Sequence, residues 1–169
     1  IMLILISILT LVTMEFSACS PSQYTLSASS SPTGGGDISP AIGTYQKGVE
    51  VLITASPASG YRFDHWEGGA SGTSSTLHLV IDGNKKLTAF FVKTYTLTVS
   101  CTPSGSGTIS PNGGTYDAGA QVTLVATPGE FYKFDAWGGD ASGSTSHITI
   151  TMNSSKTVVA SFTKTTYSI

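Results

Sequence analysis

The sequence predicts an all-β protein made of two tandem antiparallel β modules of about 70 residues each. Three observations predict this fold class. The segment that begins at Tyr24 returns from Tyr95 at a constant offset of about 71 residues without a gap, and such repeats set the unit of folding. Apolar and polar residues alternate with a period of two along both copies, as in half-buried strands. Turn signals recur about every ten residues, which is typical of small sandwich-like β modules.

The two copies agree at turn, aromatic and strand positions. Matching pairs include Pro40 with Pro111, Tyr45 with Tyr116, Trp66 with Trp137 and Phe91 with Phe162. We place the first module at residues 24–94 and the second at 95–165. Residues 166–169 resemble the opening of a third copy, which indicates an array. Each copy is long enough to fold as a small domain.

Alternating segments of the first copy predict its strands in order. The longer segments occupy residues 24–28, 49–55, 61–66, 77–81 and 87–92, and shorter extended segments lie around Ile38 and at 43–45. Residues 31–37 and 68–72 are predicted loops, because glycine frees the backbone and proline cannot donate to a strand ladder. Asp82-Gly83 is a strong hairpin signal before the last strand. The second copy has the same order.

The join between the copies is very short. Only Lys93 and Thr94 separate the last strand of the first copy from Tyr95. Consecutive modules must therefore abut, and a rod follows more naturally than modules on a flexible linker.

Composition excludes several classes of function. Charged residues make up 11% of the chain, against about 25% in ordinary soluble domains. The net charge of −2 leaves no basic stripe for a phosphate backbone, so we expect no nucleic-acid partner. Apolar residues reach 40% in short alternating runs, which is not a disordered composition. We expect a monomer.

Residues 1–19 read as a signal peptide that ends in a lipobox-like cysteine. Residues 1–14 are almost wholly apolar, a run too short for a bilayer span of about 20 residues but suited to a signal peptide. Small residues then precede Cys19, as in bacterial lipoproteins, although Phe16 replaces the usual leucine and no basic segment comes first. We expect export and lipidation of Cys19; an ordinary cleaved signal and an uncleaved anchor are the alternatives.

The inventory of reactive residues does not favour an enzyme. None of the three histidines, His65, His78 and His147, has a histidine at the matching position of the other copy. No G-x-S-x-G motif or set of nucleophile, base and orienting residue appears. We therefore predict no catalytic, metal or cofactor site.

Asp64 and Asp135 recur in the pattern F-D-x-W. A carboxylate here suits acid catalysis or calcium binding, but one carboxylate per module lacks the partners that either role needs. We favour a structural interpretation, in which each carboxylate accepts hydrogen bonds from backbone N–H groups where the strand meets the glycine-rich loop.

The densest aromatic clusters surround the same pattern. They comprise Tyr61, Phe63 and Trp66 in the first copy and Tyr132, Phe134 and Trp137 in the second. If buried, they complete a core that otherwise holds only aliphatic residues, which matters in so small a module. If exposed, they form a platform that stacks sugars. We favour burial and keep Tyr61, Trp66, Tyr132 and Trp137 as candidate glycan-binding residues.

The ordered motifs of both copies resemble the divergent internalin-B-type repeat of bacterial surface and secreted proteins. In the second copy they are the segments YTL, GTISP, GGTYDAGAQVTLVATP, YKFDAWGGDASG and ITITMNSSKTVVASF. The resemblance covers residues 24–164. It implies a cell-surface location and tandem use, brings no catalytic residues, and adds a β-grasp-like module as the alternative to a sandwich.

These observations together predict an exported bacterial surface repeat protein that acts as a structural stalk or an adhesin-type interaction module. Its partner would be a surface protein or a glycan, and its membrane contact would be the lipid anchor at Cys19. The alternative is a carbohydrate-binding accessory region of a longer secreted enzyme.

Overall fold

The computed structural model describes residues 22–166, and these residues form strands, turns and loops without a helix. The predicted all-β class is confirmed. Cys19 with the apolar segment before it lies outside the described residues, as do residues 167–169 of the predicted third copy. Residues 22–166 accordingly include no helix with the length and apolarity needed to span a membrane.

The first module contains six strands and the first half of a seventh: β1 (Gln23–Ser31), β2 (Gly36–Ser39), β3 (Ile42–Gln46), β4 (Glu50–Pro57), β5 (Tyr61–Gly68), β6 (Thr76–Val80) and β7 (Lys85–Thr102). The second module contains the second half of β7 and six further strands: β8 (Gly107–Ser110), β9 (Gly114–Asp117), β10 (Gln121–Pro128), β11 (Tyr132–Gly139), β12 (His147–Thr151) and β13 (Lys156–Lys164).

Each module is a sandwich of two layers. In the first module the larger layer has the order β3-β1-β7-β5 and the smaller the order β2-β4-β6; in the second module the orders are β9-β7-β13-β11 and β8-β10-β12. Because β7 belongs to both modules, the two larger layers form one seven-stranded sheet. Of the two arrangements that we expected, residues 22–166 adopt the sandwich-like one, since no helix covers either sheet.

One strand pairing in each module is parallel, which the expectation of antiparallel modules did not include. β1 runs parallel to the first half of β7, and the second half of β7 runs parallel to β13. A period of two marks a strand but carries no information about the direction of its neighbour. The first and last strands of a module become neighbours because the chain crosses to the smaller sheet between them.

The apolar core of each module lies between its two layers. In the first module Leu26 and Leu87 of the larger layer and Ile53 of the smaller layer are fully buried. In the second module Val158 of the larger layer and Leu124 of the smaller layer are likewise fully buried. Burial of this apolar surface is the main favourable contribution to the folding of each module.

The same face of β7 contributes to both cores. Ala89 and Phe91 lie in the first core, and Leu97 and Val99 pack in the second. Alternate residues of a strand share a face, so both smaller sheets lie on one side of the seven-stranded sheet. The module boundary that we placed after Thr94 falls inside this one continuous strand.

Candidate functional site at the module junction

The peptide bond between Lys93 and Thr94 is held by both modules. The Lys93 carbonyl accepts a hydrogen bond from the Ala118 N–H of the second module at 2.8 Å, and the Thr94 N–H donates to the Gly60 carbonyl of the first module at 2.8 Å. The carbonyl and the N–H of one trans peptide point in opposite directions. β5 and β9 therefore flank β7 on opposite edges where the modules meet.

Arg62 connects the modules across β7. Its Nε and Nη2 atoms donate to Oδ1 and Oδ2 of Asp117, each at 2.7 Å, which is the paired geometry in which arginine and carboxylate fit best. Arg62 is paired with Val92 and Asp117 with Thr94, and these two residues of β7 share a face. The guanidinium therefore spans the strand on the side away from the cores.

A chain of charged groups continues from Arg62 along β5. Its Nη1 donates to Asp64 Oδ1 at 2.6 Å, and Asp64 Oδ2 lies 2.8 Å from His65 Nδ1. His65 Nε2 lies 3.1 Å from a carboxylate oxygen of Glu67. The imidazole stacks on the Phe90 ring of β7, with the ring centres 4.7 Å apart and the planes 1° from parallel.

These contacts shift the pKa values of the network in the directions that favour its charged forms. The hydrogen bond from Arg62 lowers the pKa of Asp117, and hydrogen bonds first from His65 and then from Arg62 lower the pKa of Asp64. Hydrogen bonds to Asp64 and then to Glu67 raise the pKa of His65. The protonated imidazole donates from both nitrogens, so it satisfies both carboxylates at once.

The ion pair between the modules is a positioning contact more than a source of stability. The side chains of Arg62 and Asp117 are 45% and 41% exposed, and exposed pairs contribute little free energy. Its bidentate geometry nevertheless fixes an orientation between β5 and β9. Residues 22–166 hold no group of three or more His, Cys, Asp or Glu side chains that would bind a metal ion.

Sequence reasoning missed the Arg62–Asp117 contact because the pair is not repeated. Lys133 stands at the position of Arg62 in the second module, and Gln46 stands at the position of Asp117 in the first. The two residues are 55 positions apart and belong to different copies. The patterns that identify a module carry no signal for a contact of this kind.

The structure places both tryptophans in the cores. Trp66 is 1% exposed and Trp137 is 4% exposed. Their indole N–H groups donate to the backbone carbonyls of Ser74 at 3.0 Å and Thr145 at 2.8 Å. A ring buried to this extent cannot stack on a sugar. Trp66 and Trp137 are therefore core residues and not glycan-binding residues.

The two other candidate glycan-binding residues are partly buried. Tyr61 packs against the first core and Tyr132 against the second. Tyr61 also begins β5 and is paired with Lys93, so it lies beside the module junction. Neither tyrosine stands with its tryptophan on an exposed surface, because the tryptophan side chains point inward.

The pattern F-D-x-W marks a β-bulge. The pairing of β5 with β7 shifts between Phe63 and His65, with Asp64 as the extra residue, and β11 shifts in the same way at Asp135. The carboxylate of Asp64 contacts Arg62 and His65, whereas we had expected it to accept from backbone N–H groups. The bulge changes the parity of the strand, so that two aromatic residues three positions apart both face the core.

Each module also has an open groove lined by its first strand and by the loop and short strand that follow it. Ala28, Ser29 and Ile38 line the groove of the first module, and Ser100 and Ile109 line the equivalent groove of the second. The grooves recur at the same offset as the sequence repeat. Their lining is small and weakly polar, with no charged residue in the second module and only Asp37 in the first.

Comparison with known proteins identifies the repeat. A family model described as the divergent InlB B-repeat domain matches residues 24–94 and 97–166, which together make up most of the chain. No curated protein and no solved structure matches the chain.

Proposed function

The chain belongs to the divergent InlB B-repeat domain family, and from this membership we propose that it is a structural stalk on the surface of a bacterium. The family is a bacterial surface-associated repeat domain. We propose that the modules are exported, that they act without catalysis, and that they hold an interacting region at a defined distance from the cell. The same modules would serve an adhesin if they also carried the contact with its partner.

The observation that carries this proposal is the single strand that serves two modules. β7 covers Lys85–Thr102, so it passes through the junction without a linker. Hydrogen bonds from both modules hold its peptide at residues 93–94, and Arg62 bridges the modules above it. A junction built in this way favours a stiff rod over separate mobile domains.

The outer ends of the pair repeat the geometry of the junction. Lys47 N–H donates to the Ser22 carbonyl at 2.9 Å, in the place of the bond from Ala118 to Lys93. Thr165 N–H donates to the Phe131 carbonyl at 2.7 Å, as Thr94 does to Gly60. The end of the second module therefore has the half of the junction that a further module would complete, which supports use in an array.

Small-angle X-ray scattering on chains of one, two and more modules tests the stalk. We expect the radius of gyration to rise close to linearly with module number. The matched control has a short Gly-Ser insertion between Lys93 and Thr94, which breaks the continuous strand and should make the pair behave as flexibly linked domains. Growth close to the square root of module number in the uninterrupted chains would overturn the proposal.

We propose that Cys19 is the membrane anchor of the stalk. Cys19→Ser should leave the precursor unlipidated, lower its mass and move it out of the membrane fraction. Cys101→Ser is the matched control, because Cys101 replaces Ser30 of the first copy and should not affect fractionation. Unchanged fractionation and mass in Cys19→Ser would point to an ordinary cleaved signal or to anchoring by the apolar segment itself.

The recurring grooves favour one alternative, a carbohydrate-binding accessory region of a longer enzyme. Their serine, threonine and small apolar lining can contact a sugar chain without stacking it. Glycan-array binding by the two-module chain tests this alternative. Binding that is lost in Ser29→Tyr and Ser100→Tyr, which fill the two grooves, would support it; binding that survives both changes would place the ligand elsewhere.

A further inference from the structure

The parallel strand pairs lie where the chain enters and leaves each module. β1 is the first strand of the first module and β7 is its last, and the two are neighbours over six aligned residue pairs, from Leu26–Lys85 to Ser31–Phe90. β7 is then the first strand of the second module, and it lies beside the last strand, β13, over six further pairs.

This arrangement determines how tension along the chain acts on a module. A pull on the two ends draws β1 towards the start of the chain and β7 towards its end, so parallel neighbours slide past each other along their length. Because the pull acts along both strands, it loads all the hydrogen bonds of the pair at once, and in a parallel pair these bonds are evenly spaced. A pull that separates two adjacent strand ends would instead break the same bonds one after another.

The surroundings of the pair protect it. Leu26 of β1 and Leu87 and Ala89 of β7 have no exposed surface, so the core covers the inner face of the contact. β5 pairs with the other edge of β7 over residues 61–68 and holds that strand against lateral displacement. In the second module Val158 and Ala160 of β13 are equally buried.

The junction does not interrupt the path of the force. β7 is one of the two strands that slide in the first module and one of the two that slide in the second, and its backbone is continuous between these regions. No hydrogen bond between the modules has to resist the pull, because a covalent strand connects the two pairs.

We propose that these modules are tension-bearing elements, in which the parallel pair of first and last strands resists mechanical extension between the anchored end of the chain and its partner. This inference deepens the proposed stalk function and rests on it. It implies that each module resists a pull along the chain more strongly than a pull in another direction. A spacer that only keeps a distance does not need this property.

Single-molecule force spectroscopy on one protein pulled in two directions tests the proposal. Handles at Ser22→Cys and Lys164→Cys pull along the chain. Handles at Ser22→Cys and Gly83→Cys separate adjacent ends of β1 and β7, which meet where the Thr25 N–H donates to Asn84 Oδ1 at 2.9 Å. A side chain at Gly83 meets no atom within 4 Å. Both chains carry Cys19→Ser and Cys101→Ser, so only the handles react.

We expect two unfolding steps in the first direction, each releasing about 70 residues that extend by up to ~3.5 Å per residue. The force of the weaker step should be at least about twofold greater than the force in the second direction, because six aligned pairs resist together instead of in sequence. Equal melting temperatures of the two variants would show that the handles themselves do not change stability.

Equal unfolding forces in the two directions would overturn the proposal. That result would leave the stalk intact if scattering still shows rods. If scattering showed a flexible chain but the unfolding force along the chain were high, the stiff stalk would be overturned and the tension-bearing role would stand. The strand pairs would then bear tension in a flexible tether.

Discussion

Trp66 and Trp137 each close a small core with one large side chain. Each ring lies at a tilt against a phenylalanine of its own strand, with ring centres 5.5 Å apart for Phe63–Trp66 and 5.3 Å apart for Phe134–Trp137. The sequence indicated that these aromatic residues were core residues. It did not predict the bulge that makes this possible, since in a regular strand residues three positions apart point to opposite faces.

Trp66→Ala should lower the free energy of unfolding of the first module by about 3–5 kcal/mol, because the substitution leaves a large cavity in the core. This loss is comparable with the whole stability of many small domains. The chain has two tryptophans, so the fluorescence of the mutant reports the second module alone. We expect an early loss of β-sheet circular dichroism and a fluorescence transition that falls only by the contribution of the contacts between the modules.

Trp66→Phe is the control for this experiment. It keeps an aromatic ring in the core but removes the indole N–H that donates to Ser74, and it should destabilise the module less than alanine does. If Trp66→Ala lowered the fluorescence transition of Trp137 by the full amount, the two modules would unfold as one unit.

An unperturbed histidine titrates near pH 6.5. His65 should titrate above that value, because hydrogen bonds to Asp64 and then to Glu67 raise its pKa. The stabilisation that the protonated ring provides is then complete below the unfolded pKa and is lost as the pH rises through the folded pKa. NMR titration of the ring measures the midpoint. Asp64→Asn should lower it most and Glu67→Gln less.

Asp135→Asn is the matched control for the titration, because Asp135 occupies the same bulge in the second module. It should leave the midpoint of His65 unchanged. If all three substitutions moved the midpoint equally, the shift would come from the overall charge of the protein and not from the network on β5.

β7 shows which parts of an element the sequence predicts. Its apolar alternation from Leu87 to Phe91, and again from Tyr95, predicted a strand in each copy. The residues between these stretches, Lys93 and Thr94, have no apolar pattern of their own, so they read as a short join. They are strand because hydrogen bonds to Gly60 and Ala118 hold them there, and such distant partners leave no trace in local periodicity.

The amide of Thr94 should exchange with solvent as slowly as strand amides elsewhere in β7, because it donates to the Gly60 carbonyl. In a flexible linker the same amide would open freely and exchange within the fastest class. Hydrogen-exchange NMR measures the rate. The amides of Ser71 and Thr73, two exposed residues of the loop after β5, are the reference for mobile backbone. Exchange of Thr94 at their rate would contradict a continuous strand.

The molecule as a whole behaves as a short one-dimensional array, in which stability is the sum of the modules and the contacts between neighbours. The contacts here include the bond from Ala118 to the Lys93 carbonyl and the paired hydrogen bonds of Arg62 with Asp117. Both are lost when the chain is divided after Thr94. The Thr94–Gly60 bond stays within the first module, so division should affect the second module more directly.

The second module should therefore be more stable in the tandem chain than as residues 95–166 alone. The backbone bond to Lys93 contributes about 0.5–1.5 kcal/mol, and the Arg62–Asp117 pair adds a part that salt weakens because both side chains are partly exposed. Denaturant unfolding at low and high salt measures both parts. Asp117→Gln, which introduces the residue of the first copy at this position, should remove the salt-dependent part and keep the rest.

If residues 95–166 unfolded at the same denaturant concentration alone and in tandem, the modules would be energetically independent, and stiffness at the junction would depend on the continuity of β7 alone.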